Sequence, residues 1–275
     1  VAMHEAPAGA VRRKKQSSIV RAVSLVKEGL ADAAVSAGHT GATMAAALLV
    51  LGRIGNIDRP AIASVVPNAT GRTVLLDVGA NVDCKPHNLV QFAVMGAVYA
   101  EKVLGVPRPR VGLLSVGGED CKGNELTLAT LPMLRQAGLN FVGNVEGHDI
   151  FAGTADVVVC DGFVGNVVLK TGEGLIKTLE SLLREEVGKR VTARLGLALA
   201  WPAVRGLRRR LDYAEYGGAP LLGVNGVVIV AHGRSKARAI KNAVRAAGEA
   251  RIQELVACIR VRVENANLRE AGVDA

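Results

Sequence analysis

A chain of 275 residues can bury one large α/β core or two small ones. Its formal charge of +9 favours acidic partners: a phosphorylated ligand, an acidic protein or an anionic membrane. Only 3% of residues are aromatic, too few for stacking on single-stranded nucleic acid, so no nucleic-acid partner is expected. The cysteines, Cys84, Cys121, Cys160 and Cys258, have no metal-binding spacing and point to a reduced, cytoplasmic protein. The longest apolar runs, 44–51 and 195–204, fall well short of the roughly 18 residues that suggest a membrane span. The chain opens on Val1 in a polar, basic segment, which suggests further sequence upstream.

Residues 1–16 read as loop with the basic run Arg12-Arg13-Lys14-Lys15, and Ser17 or Ser18 suits the cap of a helix reaching about Leu30. A short strand at 33–37 ends in Gly38-His39-Thr40-Gly41, ahead of an apolar helix at 42–51. Backbone amides there can face an anion, and His39 is either a polar contact or structural. Strands follow at 61–66 and 73–78. The second runs into a loop with Asp77, Asp83 and Lys85, which bind a metal or substrate or pair as scaffolding. Pro86 suits the first turn of a helix with its buried stripe at Leu89, Phe92, Ala93, Gly96, Tyr99, Ala100 and Val103.

The strand at 110–116 leads into Gly117-Gly118-Glu119-Asp120-Cys121-Lys122-Gly123-Asn124, too polar and too long for a plain turn. It is not a phosphate-binding loop of the Walker type, because Lys122 precedes Gly123 instead of following it. A strand at 140–143 leads to Asn144 and Glu146. The stretch DVVVCDGFVGNVVLKT at 156–171 combines a buried strand, a turn with Asp161, Gly162, Gly165 and Asn166, and a helix reaching about Glu186. A strand at 227–231 exits through His232, before a helix from Ser235 to about Val256.

Alternating strands and helices predict an α/β fold, and crossover handedness places the exits of parallel strands on one edge. Lys122, Asn124, Asn144, Glu146, Asp161, Asn166 and His232 are therefore expected around one crevice. No glycine fingerprint for a dinucleotide follows any strand, and no cofactor is expected.

Between Arg184 and Tyr216 the alternation breaks. Basic residues flank an apolar stretch containing Leu195, Leu197, Leu199, Trp201 and Val204. A helical hairpin at about 187–214, with an apolar tip and a basic collar, fits an anionic bilayer surface; a dimer-interface helix pair fits the same composition.

Taken together, VRRKKQSS at 11–18, SAGHTGA at 36–42, LLDVGANVDCKP at 75–86, GNEL at 123–126, DGFVGNVVLK at 161–170, EYGGAPLLG at 215–223 and AHG at 231–233 resemble the bacterial acyl-carrier-protein:phosphate acyltransferase family. The resemblance runs nearly end to end. It implies a single three-layer α/β/α domain, related to phosphate acetyltransferases and isopropylmalate-type dehydrogenases, that forms homodimers. It also implies acyl transfer from acyl carrier protein to inorganic phosphate for phospholipid synthesis, and peripheral membrane association through the hairpin.

The lysine and asparagine the family implicates in the reaction correspond to Lys122 and Asn166. Gly38, His39, Thr40, Gly41, Asn81, Asp83, Asn124, Asn144, Asp161, Gly162, Gly165 and His232 are the candidate substrate contacts. No metal is implied. Members begin with a strand carrying Asp-Ala-Met-Gly-Gly-Asp, which this sequence lacks, so strands and part of the phosphate site are expected to be missing. The alternatives are a phosphate acetyltransferase-like enzyme using a coenzyme A thioester, and a non-catalytic membrane-binding module.

Overall fold

The computed structural model describes residues 1–2, 4–212, 215 and 217–266. Positions 213 and 214 of the expected hairpin, and 216 of the EYGGAPLLG motif, lie outside the described residues. In chain order the elements are α1 (Pro7–Arg13), α2 (Ser18–Lys27), β1 (Ala33–Ser36), α3 (Thr40–Ala46, continued by a wider π turn to Leu51), β2 (Ala61–Pro67) and β3 (Arg72–Leu76). Then come α4 (Pro86–Lys102), β4 (Val111–Leu114), α5 (Glu125–Gln136), β5 (Phe141–Val145), α6 (Gly147–Ala152), β6 (Val157–Val159) and α7 (Gly162–Gly188). The chain continues through α8 (Val191–Leu211), β7 (Ala219–Leu222), β8 (Val227–Val230), α9 (Ala237–Ile252) and α10 (Leu255–Asn265).

The strands form one sheet in the order β1-β8-β7-β2-β3-β6-β4-β5. Because side chains alternate along a strand, Val74 and Leu76 of β3 join one core with α4, α5, α9 and α10, while Leu75 joins a second core with α2 and α3. Both sheet faces are covered, giving three α/β/α layers. This explains why Val157, Val158 and Val159 are all buried and why their segment reads as an uninterrupted apolar run.

The sheet is mixed. β2 is antiparallel to both β3 and β7, and β7 is antiparallel to β8. Residues 68–71 between β2 and β3 are too few for a crossover and reverse the chain, with the Asn68 side chain accepting from the Thr70 N–H at 2.9 Å. Consequently β3, β6, β4 and β5 run in one direction and β1 and β8 in the other. The expectation of one edge for all exits is corrected: the loops after β1 and β8, with Gly38–Gly41 and His232, do not share the edge carrying Lys122, Asn144, Asp161 and Asn166.

Smaller corrections follow from local chemistry. Residues 7–13, expected as loop, are helical with Pro7 in the first turn. Ser17 holds the cap position of α2, but its hydroxyl makes no cap bond. The expected final helix is two, α9 and α10, separated at Gln253 and Glu254, where Glu254 has φ +49°. The helix pair near 187–214 turns at Lys189-Arg190 and uses the second half of α7 as one arm, so its tip is polar and its apolar residues lie along the arms.

Candidate active site

Adjacent parallel strands β3, β6 and β4 deliver three loops to one edge. At the end of β3, Asp77 is fully buried. Its Oδ1 accepts from the N–H groups of Ile62 (3.1 Å), Gly79 (3.3 Å) and Ala80 (3.0 Å), and its Oδ2 from the N–H (2.7 Å) and side-chain amide (2.8 Å) of Asn81. Burial raises the Asp77 pKa against the opposing pull of those donors. With its bonds directed at its own loop and at Ile62 of the neighbouring strand β2, this carboxylate is scaffold. Among the described residues no three His, Cys, Asp or Glu side chains cluster to hold a metal.

That loop carries the start of α7. The Gly162 N–H donates to the Asn81 carbonyl at 2.7 Å, and a Cβ on Gly165 would overlap the Asp77 carbonyl. Asp161 caps the helix, its Oδ1 accepting from the N–H groups of Phe163 (2.9 Å) and Val164 (3.0 Å), and the Gly165 N–H bonds the Asp161 carbonyl. The free amides of this helix start are thus already used and are unavailable to an anion. Asn166 lies one turn in, past the cap, with an exposed side chain beside Gly79.

The loop after β4 is folded back on itself. The Ser115 hydroxyl donates to the Lys122 carbonyl at 3.1 Å, and the Asn144 side-chain amide donates to the carbonyls of Glu119 (2.9 Å) and Lys122 (3.3 Å). Asn124 caps α5, accepting from the Thr127 N–H at 2.9 Å, and Glu146 holds the cap position of α6. Among the described residues, the Lys122 ammonium and Asn166 amide have no intramolecular partner, and the N–H groups of Gly118, Asp120 and Cys121 have no acceptor. Asn81, Asn124, Asn144 and Asp161 hold the loops in shape, whereas Lys122, on the loop after β4, and Asn166, in the first turns of α7, are exposed. Asp83 is exposed and contributes its carbonyl to Arg59 at 2.6 Å. Burial, with the charges of Asp77 and Asp161, pushes the Cys84 thiol up to about 11, so it is protonated at neutral pH.

At the other edge, His39 Nδ1 accepts from the Ala42 N–H at 3.4 Å and caps α3, and a Cβ on Gly41 would meet the Pro7 ring at 2.8 Å. Thr40 opens α3, and Gly38 approaches the Ile19 side chain. His232 Nδ1 accepts from the Arg234 N–H at 3.2 Å. Burial lowers the His232 pKa, the charges of Lys170, Arg234 and Lys177 add to the fall, and Glu173 opposes it. These neighbours place His232 beside α7, about one to three turns along from Asn166. It is a neutral imidazole at neutral pH and not part of the Lys122 loop cluster.

The α7–α8 pair is held by Arg208 on Glu180 at 3.2 Å. Leu175, Leu179, Leu182 and Leu183 of α7 and Val191, Leu195, Leu199, Trp201 and Leu207 of α8 are exposed, while Leu197 and Val204 are half-buried. No helix among the described residues is long and apolar enough to cross a membrane. Sequence reasoning did not separate the amides that shape loops from those that project. The signals were present for Asn124, three residues before Thr127, and for Asp161, just ahead of a helical pattern.

Three layers around this mixed sheet define a phosphotransacetylase-like α/β architecture. A phosphotransacetylase from Streptococcus pyogenes superimposes with a TM-score of 0.57 at 21% identity, over 90% of this chain and 74% of that one. A phosphotransacetylase, EutD, from Staphylococcus aureus gives 0.55 at 17% identity, over 84% and 67% respectively. At the level of sequence, the family described as "Fatty acid synthesis protein" matches residues 1–257. Proteins named phosphate acyltransferase are 60% identical in Pelotomaculum thermopropionicum, over 99% of this chain and 80% of that protein, and 58% identical in Desulforudis audaxviator, over 100% and 81%. The chain belongs to this phosphate acyltransferase family.

Proposed function

We propose that the chain transfers a fatty acyl group from the thioester of acyl carrier protein to inorganic phosphate, giving an acyl phosphate for phospholipid synthesis. The observation that carries the reading is the pair Lys122 and Asn166. They are exposed polar side chains without intramolecular partners, one on the loop after β4 and one in the first turns of α7, while the amides of Asn81, Asn124 and Asn144 around them are engaged in scaffolding. Relatives at 57–60% identity bear the name phosphate acyltransferase.

The chemistry needs no covalent enzyme intermediate. A phosphate oxygen, already anionic at neutral pH, attacks the thioester carbonyl carbon; the tetrahedral intermediate collapses, the C–S bond breaks, and the thiolate leaves and is protonated from solvent. Positioning is the main requirement. Lys122, with the free N–H groups of Gly118, Asp120 and Cys121, offsets the charge of phosphate and then of the oxyanion, while Asn166 donates to the carbonyl oxygen. Gly38–Gly41 and His232, at the other edge of the sheet, are proposed to contact the donor away from the reacting carbonyl.

The protein is proposed to act as a cytoplasmic homodimer that rests on the anionic membrane surface. The exposed leucines of α7 and α8 are flanked by Lys189, Arg190, Arg194, Arg205, Arg208, Arg209 and Arg210, which suits a helix pair lying in the interface. The competing reading is a coenzyme A thioester as donor. Rates of acyl phosphate formation, trapped as hydroxamate, decide between them. Acyl-carrier-protein thioester outpacing the coenzyme A thioester of the same chain supports the proposal, and the reverse order overturns it.

A further inference from the structure

Exposed loop tips are ordinarily polar, and a single exposed hydrophobe needs no explanation; a contiguous set does. Around Lys122 and Asn166, the loops after β3 and β4 and the start of α7 expose Val82 (63%), Val116 (78%), Phe163 (61%) and Val167 (47%). Backbone geometry brings them together. The bond between Gly162 and Asn81 makes Phe163 and Val82 neighbours across the two loops. β4 and β6 are adjacent parallel strands, so the loop that carries Val116 and the turn that opens α7 leave the sheet side by side on one edge. Val167 lies one turn beyond Phe163 on the same face of α7, with Asn166 beside it. Ser115, adjacent to Val116, holds the Lys122 main chain.

We propose that Val82, Val116, Phe163 and Val167 form the contact surface for the acyl chain of the thioester and set its chain-length preference. This rests on the reading that Lys122 and Asn166 flank the reacting carbonyl. A carbonyl held there leaves its alkyl chain within reach of these side chains, and removing one apolar contact from such a surface typically costs about tenfold or more in discrimination. The patch is separate from the exposed stripe at Leu175–Leu183 and on α8, which begins two turns further along α7.

The test is kcat/KM for acyl phosphate formation from hexadecanoyl and butanoyl thioesters of acyl carrier protein, in the wild type, Phe163→Ser and Val116→Ser, with sedimentation on the same samples. The long-to-short ratio is expected to fall about tenfold in each variant. Where Phe163→Ser fails to fold, Val116→Ser, on a loop, reads the same ratio. A working wild type with an unchanged ratio in the variants overturns the proposal alone. An unchanged ratio with altered sedimentation gives the surface to a second copy of the chain and overturns it too. No acyl phosphate from the wild type with either donor overturns the functional reading beneath it.

Discussion

The main-chain N–H of Gly162 donates to the carbonyl of Asn81 at 2.7 Å, fastening the start of α7 to the loop that leaves β3. Buried Asp77 holds that loop, and Gly165 packs directly on the Asp77 carbonyl, so strand end, loop and helix start behave as one block.

Gly165→Ala is therefore expected to destabilise by about 3 kcal/mol or more, since neither the backbone at Asp77 nor buried Cys160 can retreat. Gly174→Ala, exposed on the same helix with open space at its Cβ, is expected to stabilise by up to about 1 kcal/mol. Urea midpoints of the two variants check the contrast. Equal midpoints would mean that the helix start is not clamped.

Asn166→Ala should lower turnover about 10²-fold or more while leaving thermal stability near that of the wild type, because Asp161 and not Asn166 caps α7. The measurement pairs turnover with a melting curve. A fall in melting temperature with full activity in the folded fraction would make Asn166 structural.

The carboxylate of Asp156 gives the fold an acid-sensitive contact remote from the site. Burial alone raises its pKa, but the Arg110 side chain (3.0 and 3.1 Å) and N–H (2.8 Å) outweigh burial and hold it below the ordinary 3.8. A lowered folded pKa favours the native state above the ordinary value, and the benefit is lost as pH falls through the folded one. Asp156→Asn should cost on the order of 1 kcal/mol at pH 7, Arg110 being partly solvent-screened, and the gap from wild type should close below about pH 3.8. Denaturant titrations across pH 3–7 test this; a gap independent of pH would reject it.

Leu197→Glu, Trp201→Glu should abolish flotation with anionic liposomes while keeping turnover on soluble donor, and high salt should weaken wild-type flotation. Altered sedimentation of the double mutant would assign these residues to a protein seam, and a mutant that still floats would end the membrane reading.

Much of the layering was legible because central strands buried on both faces read as apolar runs, as at Val157–Val159 and at Val74, Leu75 and Leu76. Strand direction was not legible: periodicity reports element type, and the reversals rest on the short connections at 68–71 and 223–226, whose Asn and Gly were the available signal. β7 escaped because Pro220 interrupts a four-residue strand flanked by glycines. At the site, residue type marked the polar loops but not where each amide points. Asn124 and Asn166 look alike in sequence, yet one closes a capping box and the other faces solvent.

The account centres on Lys122 offsetting charge as phosphate attacks a thioester. The most direct measurement is incorporation of radiolabelled inorganic phosphate into acyl phosphate, using acyl-carrier-protein thioester and comparing wild type with Lys122→Met. The predicted result is labelled acyl phosphate from the wild type and about 10²- to 10³-fold less from a folded Lys122→Met. Near-normal labelling by that variant would contradict the account.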